Sequence, residues 1–307
     1  MKWPSRRDPE RQQPDPSEQA DASTPTGPVL IHALDGFLTA GGAPRIAAEH
    51  LLSGRGEVVR TFDVDELYDY RARRPFITFR QDHYVDYDEP RLDVVREHDR
   101  AGTPYLVLAG PEPDFRWESF VDGVQEVVED LDVSLTLGLG AVPMGVPHTR
   151  PPMITAHGTR PELVDRTNLW QAEVKVPSSA QSLLEHRFGQ RGLDSAGYVV
   201  HVPHYLTQVD YPPAALALLE AVLDRTGLDL DLDPLRAVQG ATMVDIERQI
   251  AEQGGAEVLA GLEQQYDAFT RGAAESLLAE DESLPSGDEL ADQFERFLAR
   301  QRKNDQD

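Results

Sequence analysis

The sequence predicts an α/β fold, one three-layer domain carrying a helical hairpin after about residue 234. Three observations lead there. Short apolar runs that read as strands alternate with amphipathic runs that read as helices between Val29 and Gly227. The 307 residues suffice for one large buried core. Beyond Pro234 the periodicity is wholly helical.

The elements follow in order. "VLIHAL" (29–34) is a short apolar strand, and Asp35-Gly36 turns the chain. Gly41-Gly42 opens a helix that keeps Ile46, Ala47, Leu51 and Leu52 at helical spacing. "GEVVRTFD" is the next strand, and "YLVLAG" (105–110) is too apolar to face water on either side. "WESFVDGVQEVVEDL" is an amphipathic helix through Phe120, Val124, Val127, Val128 and Leu131. The strands "VSLTLGLG", "MITAHG" and "GYVVHVPHY" complete the set. Ser178 and Gln181, three apart after Pro177, form a capping box for the helix between the last two strands. "PPAALALLEAVLDRTG" starts on prolines and ends on Gly227, as helices do. Met243, Ile246 and Ile250 then make one stripe. Val258, Leu259, Leu262, Tyr266 and Phe269 make another, with Gly254-Gly255 as the hinge of an antiparallel pair.

The expected organisation is a disordered tail over 1–27, an α/β domain over 28–233, a helical hairpin packed on it over 234–279, and a linker with a short tail helix over 280–307. The first segment is rich in Pro, Gln, Asp and Ser and buries little apolar surface. In the last, Leu290, Phe294, Phe297 and Leu298 share one face, acidic residues load the first turns and basic residues the end. That face is a candidate partner-binding surface, or docks on the protein's own core domain or on a neighbouring subunit. No internal repeat is present.

Composition limits the function. The net charge of −25 argues against nucleic acid and against an anionic membrane surface. Cysteine is absent, which removes disulfides, thiolate metal sites and cysteine nucleophiles. The only lysines are Lys2, Lys175 and Lys303, so lysine chemistry within the folded span would rest on Lys175. No apolar run approaches a membrane span, and the N-terminus lacks the apolar core of a signal peptide, so a cytoplasmic location is expected.

Candidate sites are few. Asp35, Gly36, Gly41 and Gly42 form a glycine loop between strand and helix, which binds an anion through backbone N–H groups or simply makes the turn. Its spacing matches neither G-x-G-x-x-G nor the P-loop. In "GLGAVPMGVPHTRPPMITAHG" (138–158), four prolines stiffen an elbow carrying His148 and Arg150. Two apart in an extended segment, these point the same way and suit an anion clamp. Alternatively Arg150 bonds nearby carbonyls or a carboxylate, and the loop tethers two strands. The elbow is expected at the end of the sheet, near Asp35-Gly36. On a strand His201 and His204 would face opposite sides, so the pair would not chelate without a bend at Pro203. Asp82, Asp86 and Asp88 on one strand face are at best a weak hard-cation site. No G-x-S-x-G elbow or H-E-x-x-H motif occurs, no metal or cofactor is implied, and no catalytic residue stands out.

"HALDGFLTAGGAPRIAAEHLL", "VVRTFDVDELYDYRARRPFITF", "PYLVLAGPEPDFRWESFVDGV" and "GLGAVPMGVPHTRPPMITAHG" resemble, in that order, bacterial members of the proteasome assembly chaperone 2 family. The likeness spans roughly Val29 to Phe269. It implies an α/β sandwich similar to purine nucleoside phosphorylases, protein partners among proteasome components, and a homo-oligomer, a trimer by family likeness. It supplies no catalytic residues. An assembly or scaffold protein acting through surfaces is the first expectation. A nucleoside phosphorylase-like or hydrolase-like enzyme using strand-end loops is the second, and an ATP-dependent carboxylate-amine ligase the third. A ligase wants cationic phosphate contacts, and neither a glycine loop with lysine nor a basic cluster is visible.

Overall fold

The computed structural model describes residues 25, 27–164, 168, 173–252 and 254–278, with backbone alone for 273–278. The N-terminal segment up to 24 and the tail carrying Leu290, Phe294, Phe297 and Leu298 lie outside the described residues.

Seven strands form one mixed sheet in the order β2-β5-β6-β1-β7-β9-β8. These are β1 (Val29–Asp35), β2 (Glu57–Thr61), β5 (Asp93–His98), β6 (Pro104–Pro111), β7 (Leu135–Met144), β8 (Ile154–Gly158) and β9 (Ser195–Pro203). The central four, β6, β1, β7 and β9, run parallel; β5 and β8 run antiparallel to them, and the edge strand β2 pairs antiparallel with β5. β3 (Thr78–Arg80) and β4 (His83–Val85) pair only with each other.

Alternation along β1 shows how the sheet gathers two cores. Val29, Ile31 and Ala33 enter one cluster, and Leu30 and Leu34 enter the other. On the first face lie α1 (Ala43–Leu51), α5 (Pro212–Thr226) and α6 (Asp233–Glu252). On the second lie α3 (Trp117–Asp130) and α4 (Ala180–Arg191). A short α2 (Val64–Leu67) adds Leu67 to the second core. Helices on both faces are what bury a central strand as apolar as β6. A last helix, α7 (Ala256–Leu278), follows α6 across Gly254 and Gly255. Among the described residues no helix is long and apolar enough to cross a membrane.

Three sequence expectations need correction. The N-cap of α4 is Ser179, one residue later than expected, and its box partner is Ser182. The Ser179 hydroxyl accepts the Ser182 N–H at 3.0 Å and the Ser182 hydroxyl accepts the Ser179 N–H at 2.8 Å. Gln181 is instead turned under the helix and buried, so it cannot reach back to a cap. The three aspartates of 82–88 do not share a strand face, because β4 ends at Val85 and Asp86 takes a left-handed φ of 53°. Asp82 pairs with His83 and Asp86 with Arg80, and no group of three or more potential metal ligands occurs among the described residues. β5 is a strand that the apolar pattern missed, since charged residues at Asp93, Arg96 and Glu97 interrupt it.

Candidate functional site at the strand ends

The carboxyl ends of β1, β6, β7 and β9 converge on four loops, which is where ligand crevices of open α/β sheets lie. The first turn is filled from within. Glu112, just beyond β6, is buried, and its carboxylate accepts the Phe37 N–H at 2.8 Å and the Ala180 N–H at 2.6 Å. One side chain thus joins the β1 turn to the start of α4. Gly36 is required by that contact: a Cβ there would lie 2.0 Å from a Glu112 oxygen.

Gly41 and Gly42 both take left-handed φ, 63° and 59°, which side chains disfavour. Their loop docks on the segment before α5. The Gly41 N–H donates to the Thr207 carbonyl at 3.0 Å, and the Gly41 carbonyl accepts the Tyr211 N–H at 2.8 Å. The Asp210 carboxylate stands beside Gly42 at the α1 N-terminus and pairs with Arg45.

The elbow is also engaged. The His148 N–H donates to the Tyr205 hydroxyl at 3.0 Å, and the His148 Nδ1 lies 2.9 Å from the same oxygen. Burial lowers the His148 pKa, opposed by Glu247 and Glu263, so the ring favours its neutral form. Arg150 holds Asp267 of α7 through two parallel hydrogen bonds and reaches Glu263 at 3.3 Å. That pairing raises the guanidinium pKa and lowers that of Asp267. Tyr266 adds a hydrogen bond to the Pro151 carbonyl at 2.9 Å. Arg150 thus has a carboxylate partner, but what it ties to the elbow is helix α7 and not a second strand.

His148 and Arg150 thus turn to different neighbours. Among the described residues no hydrogen bond or ion pair joins either of them to Asp35–Gly42. Segment 204–211 connects the two groups indirectly, with Tyr205 against His148 and Thr207 and Tyr211 against Gly41. Beside this segment a recess of about 430 Å³ opens against α6 and α7. Tyr205, Leu206, Val209, Ile246, Ile250 and Leu259 line it, with Asp210 and Asp245 at its polar edge.

A second feature went unread in the sequence. His32, Gly138, Gly197 and His157 are register partners across β1, β7, β9 and β8, so they form one row on the face beneath α4. The two glycines leave room for the rings: a Cβ at Gly138 would lie 2.7 Å from His32 Cε1, and one at Gly197 2.3 Å from His157 Cε1. His157 Nδ1 meets Glu185 at 2.7 Å. His32 is buried without a hydrogen bond in the structure. Burial, aided by His157, pulls its pKa down to about 3, while the nearby Gln181 amide opposes the shift without reaching hydrogen-bond geometry. Only strand register exposes such a row, and a single sequence does not carry register.

Known proteins place this arrangement. No curated protein matches the chain. It is similar to a protein of unknown function from Mycobacterium tuberculosis, with 46% identity over 82% of this chain and 90% of that one and a TM-score of 0.76. A protein of unknown function from Corynebacterium glutamicum is 37% identical over 84% and 96%, also with a TM-score of 0.76. A proteasome-assembly chaperone homologue from Mycobacterium tuberculosis is 25% identical over 73% and 96%, with a TM-score of 0.68. The PAC2 family model matches residues 33–253, and the chain belongs to that family.

Proposed function

We propose that the chain is a non-enzymatic, proteasome-related assembly or scaffold protein that acts through protein surfaces. The observation that carries this reading is the recess beside segment 204–211. Its lining is largely apolar and its edge holds Asp210 and Asp245, which suits an apolar peptide segment flanked by basic residues. The polar groups at the strand ends point the same way, because Glu112 and Arg150 are committed to contacts within the chain. The similar chain described as a proteasome-assembly chaperone homologue supports proteasome components as the partner class.

The test is binding of the purified full chain to proteasome core particles and to free α-subunits of its own organism. Association is expected, and Val209→Glu and Val258→Glu should abolish it without changing the melting temperature, since both side chains are exposed at the recess. No association, together with a melting-temperature rise of several degrees on adding a nucleoside or phosphate, would overturn the reading in favour of an enzyme.

A further inference from the structure

The recess beside segment 204–211 is open to water although its lining is largely apolar. Val209 is 49% exposed and Val258 67%, and Ile250 and Leu259 lie in the same lining. Exposed apolar surface of this kind marks a contact site. Asp210 and Asp245 line the recess, and among the described residues no lysine or arginine does. Each carboxylate pairs with one arginine outside the lining, Arg45 or Arg248, yet keeps more than half of its side chain exposed. Each therefore has acceptor positions left for a second cation. The occupant that fits is apolar on one face and basic beside it.

The chain itself carries such a segment. Over 290–303, Leu290, Phe294, Phe297 and Leu298 stand at helical spacing. Arg296, Arg300, Arg302 and Lys303 outnumber Asp292 and Glu295 there, so the stretch is basic within a chain of net charge −25. It is also within reach. From Leu262 at the recess to Leu278 at the end of α7 the helix runs roughly 24 Å. Residues 279–289 span up to about 36 Å when extended, enough to bring Leu290 back to the recess. A segment so tethered acts at an effective concentration of roughly millimolar, which a free partner must outcompete. We propose that the tail segment 290–298 docks in this recess on its own chain. Its apolar face covers Val209, Val258 and Leu259, its basic end lies toward Asp210 and Asp245, and a protein partner must displace it. The displacement rests on the reading of the recess as a partner site; the docking stands without it.

The experiment is a spin-label distance in the full chain, which has no cysteine of its own, so Glu257→Cys/Ala299→Cys places one label pair. Glu257 is exposed in the first turn of α7 beside Val258, and Ala299 falls opposite the apolar face of the tail at helical spacing. A narrow distribution at about 20 Å, two helix diameters, is expected. It should survive an excess of unlabelled chain, because both labels belong to one copy. Adding Phe294→Glu/Phe297→Glu should lengthen and broaden it. That tail variant, without labels, should also bind free α-subunits about tenfold more tightly than the wild type, as expected for a recess occupied roughly nine-tenths of the time. A broad wild-type distribution, or one unchanged by the tail variant, would overturn the docking. So would a short distance that dilution with unlabelled chain removes, since it would put the tail on another copy. Equal binding of both forms would overturn the displacement. A short distance with no binding by either form would uphold the docking and sink the assembly reading instead.

Discussion

Arg150 grips Asp267 with a planar fork, Nε to Oδ1 at 2.8 Å and Nη2 to Oδ2 at 2.9 Å. This contact spans 117 residues and fastens α7 to the elbow that follows β7. The sheet beneath has its own core, so the clamp governs where α7 sits and contributes little to global stability.

Arg150→Ala is therefore expected to raise deuterium uptake across 258–270 while the melting temperature moves little. Arg150→Lys should restore protection only in part, since a lysine cannot make the two parallel bonds. Unchanged uptake in the alanine variant would show that α7 is held by other contacts.

Glu112 behaves differently, because its carboxylate is buried between two backbone donors. In Glu112→Gln, an amide NH₂ must face one of those N–H groups, and an unsatisfied buried donor costs about 1–3 kcal/mol. Gly36→Ala places a methyl against the same carboxylate and should cost about 1–3 kcal/mol by overpacking. Chemical denaturation of both variants and of Gly36→Ala/Glu112→Ala checks this. The double variant should lose less than the sum of its two single changes, because removing the Glu112 side chain makes room for the new methyl. Strict additivity would mean that the two residues do not share this contact.

How far the sequence carries depends on how local each signal is. β1, β6 and α3 are legible because each writes its own periodicity, apolar throughout for a doubly covered strand and one apolar stripe for a helix. β5 is not, because its charged residues hide the strand pattern. The Arg150 carboxylate partner was foreseeable in kind from so acidic a chain, yet its identity, Asp267, depends on how α7 packs. Glu112 is one of two acids in "GPEPD", and nothing near it in sequence announces donors 75 and 68 residues away. The cap of α4 slipped by one residue because Ser178 and Ser179 are equally good cap types, and the burial of Gln181 decides between them.

The glycine row offers a ranking. At Gly197 an added Cβ meets the ring of His157, whose side chain is 38% exposed and can swing outward at the expense of its Glu185 contact. At Gly138 it meets His32 and the Gln181 amide together, and both are buried. Gly138→Ala should therefore be the costlier change, about 1–3 kcal/mol, with Gly197→Ala below it. His157→Ala should relieve Gly197→Ala, and equal losses at the two glycines would contradict the row as described.

His32 makes acid stability the most discriminating measurement. Its folded-state pKa is about 3, below the roughly 6.5 of an unfolded histidine, so the fold holds the neutral ring. The sign follows from proton counting. Between those two values the unfolded chain binds the extra proton, so stability falls as pH falls. The contribution is complete above about pH 6.5 and is lost toward pH 3 at roughly 1 kcal/mol per pH unit. Burial also lowers the pKa of His148 and His201, so the wild-type slope is shared among three rings. His32→Leu keeps an apolar group of similar size over Gly138 and removes one titration. Urea melts of both proteins at about pH 7 and about pH 4 should show the wild type losing more stability than the variant over that interval. The His32 ring resonances should remain those of the neutral form throughout the range where the protein stays folded. Parallel losses, or a His32 resonance that titrates near pH 6, would place the ring in contact with water and remove the basis of the prediction.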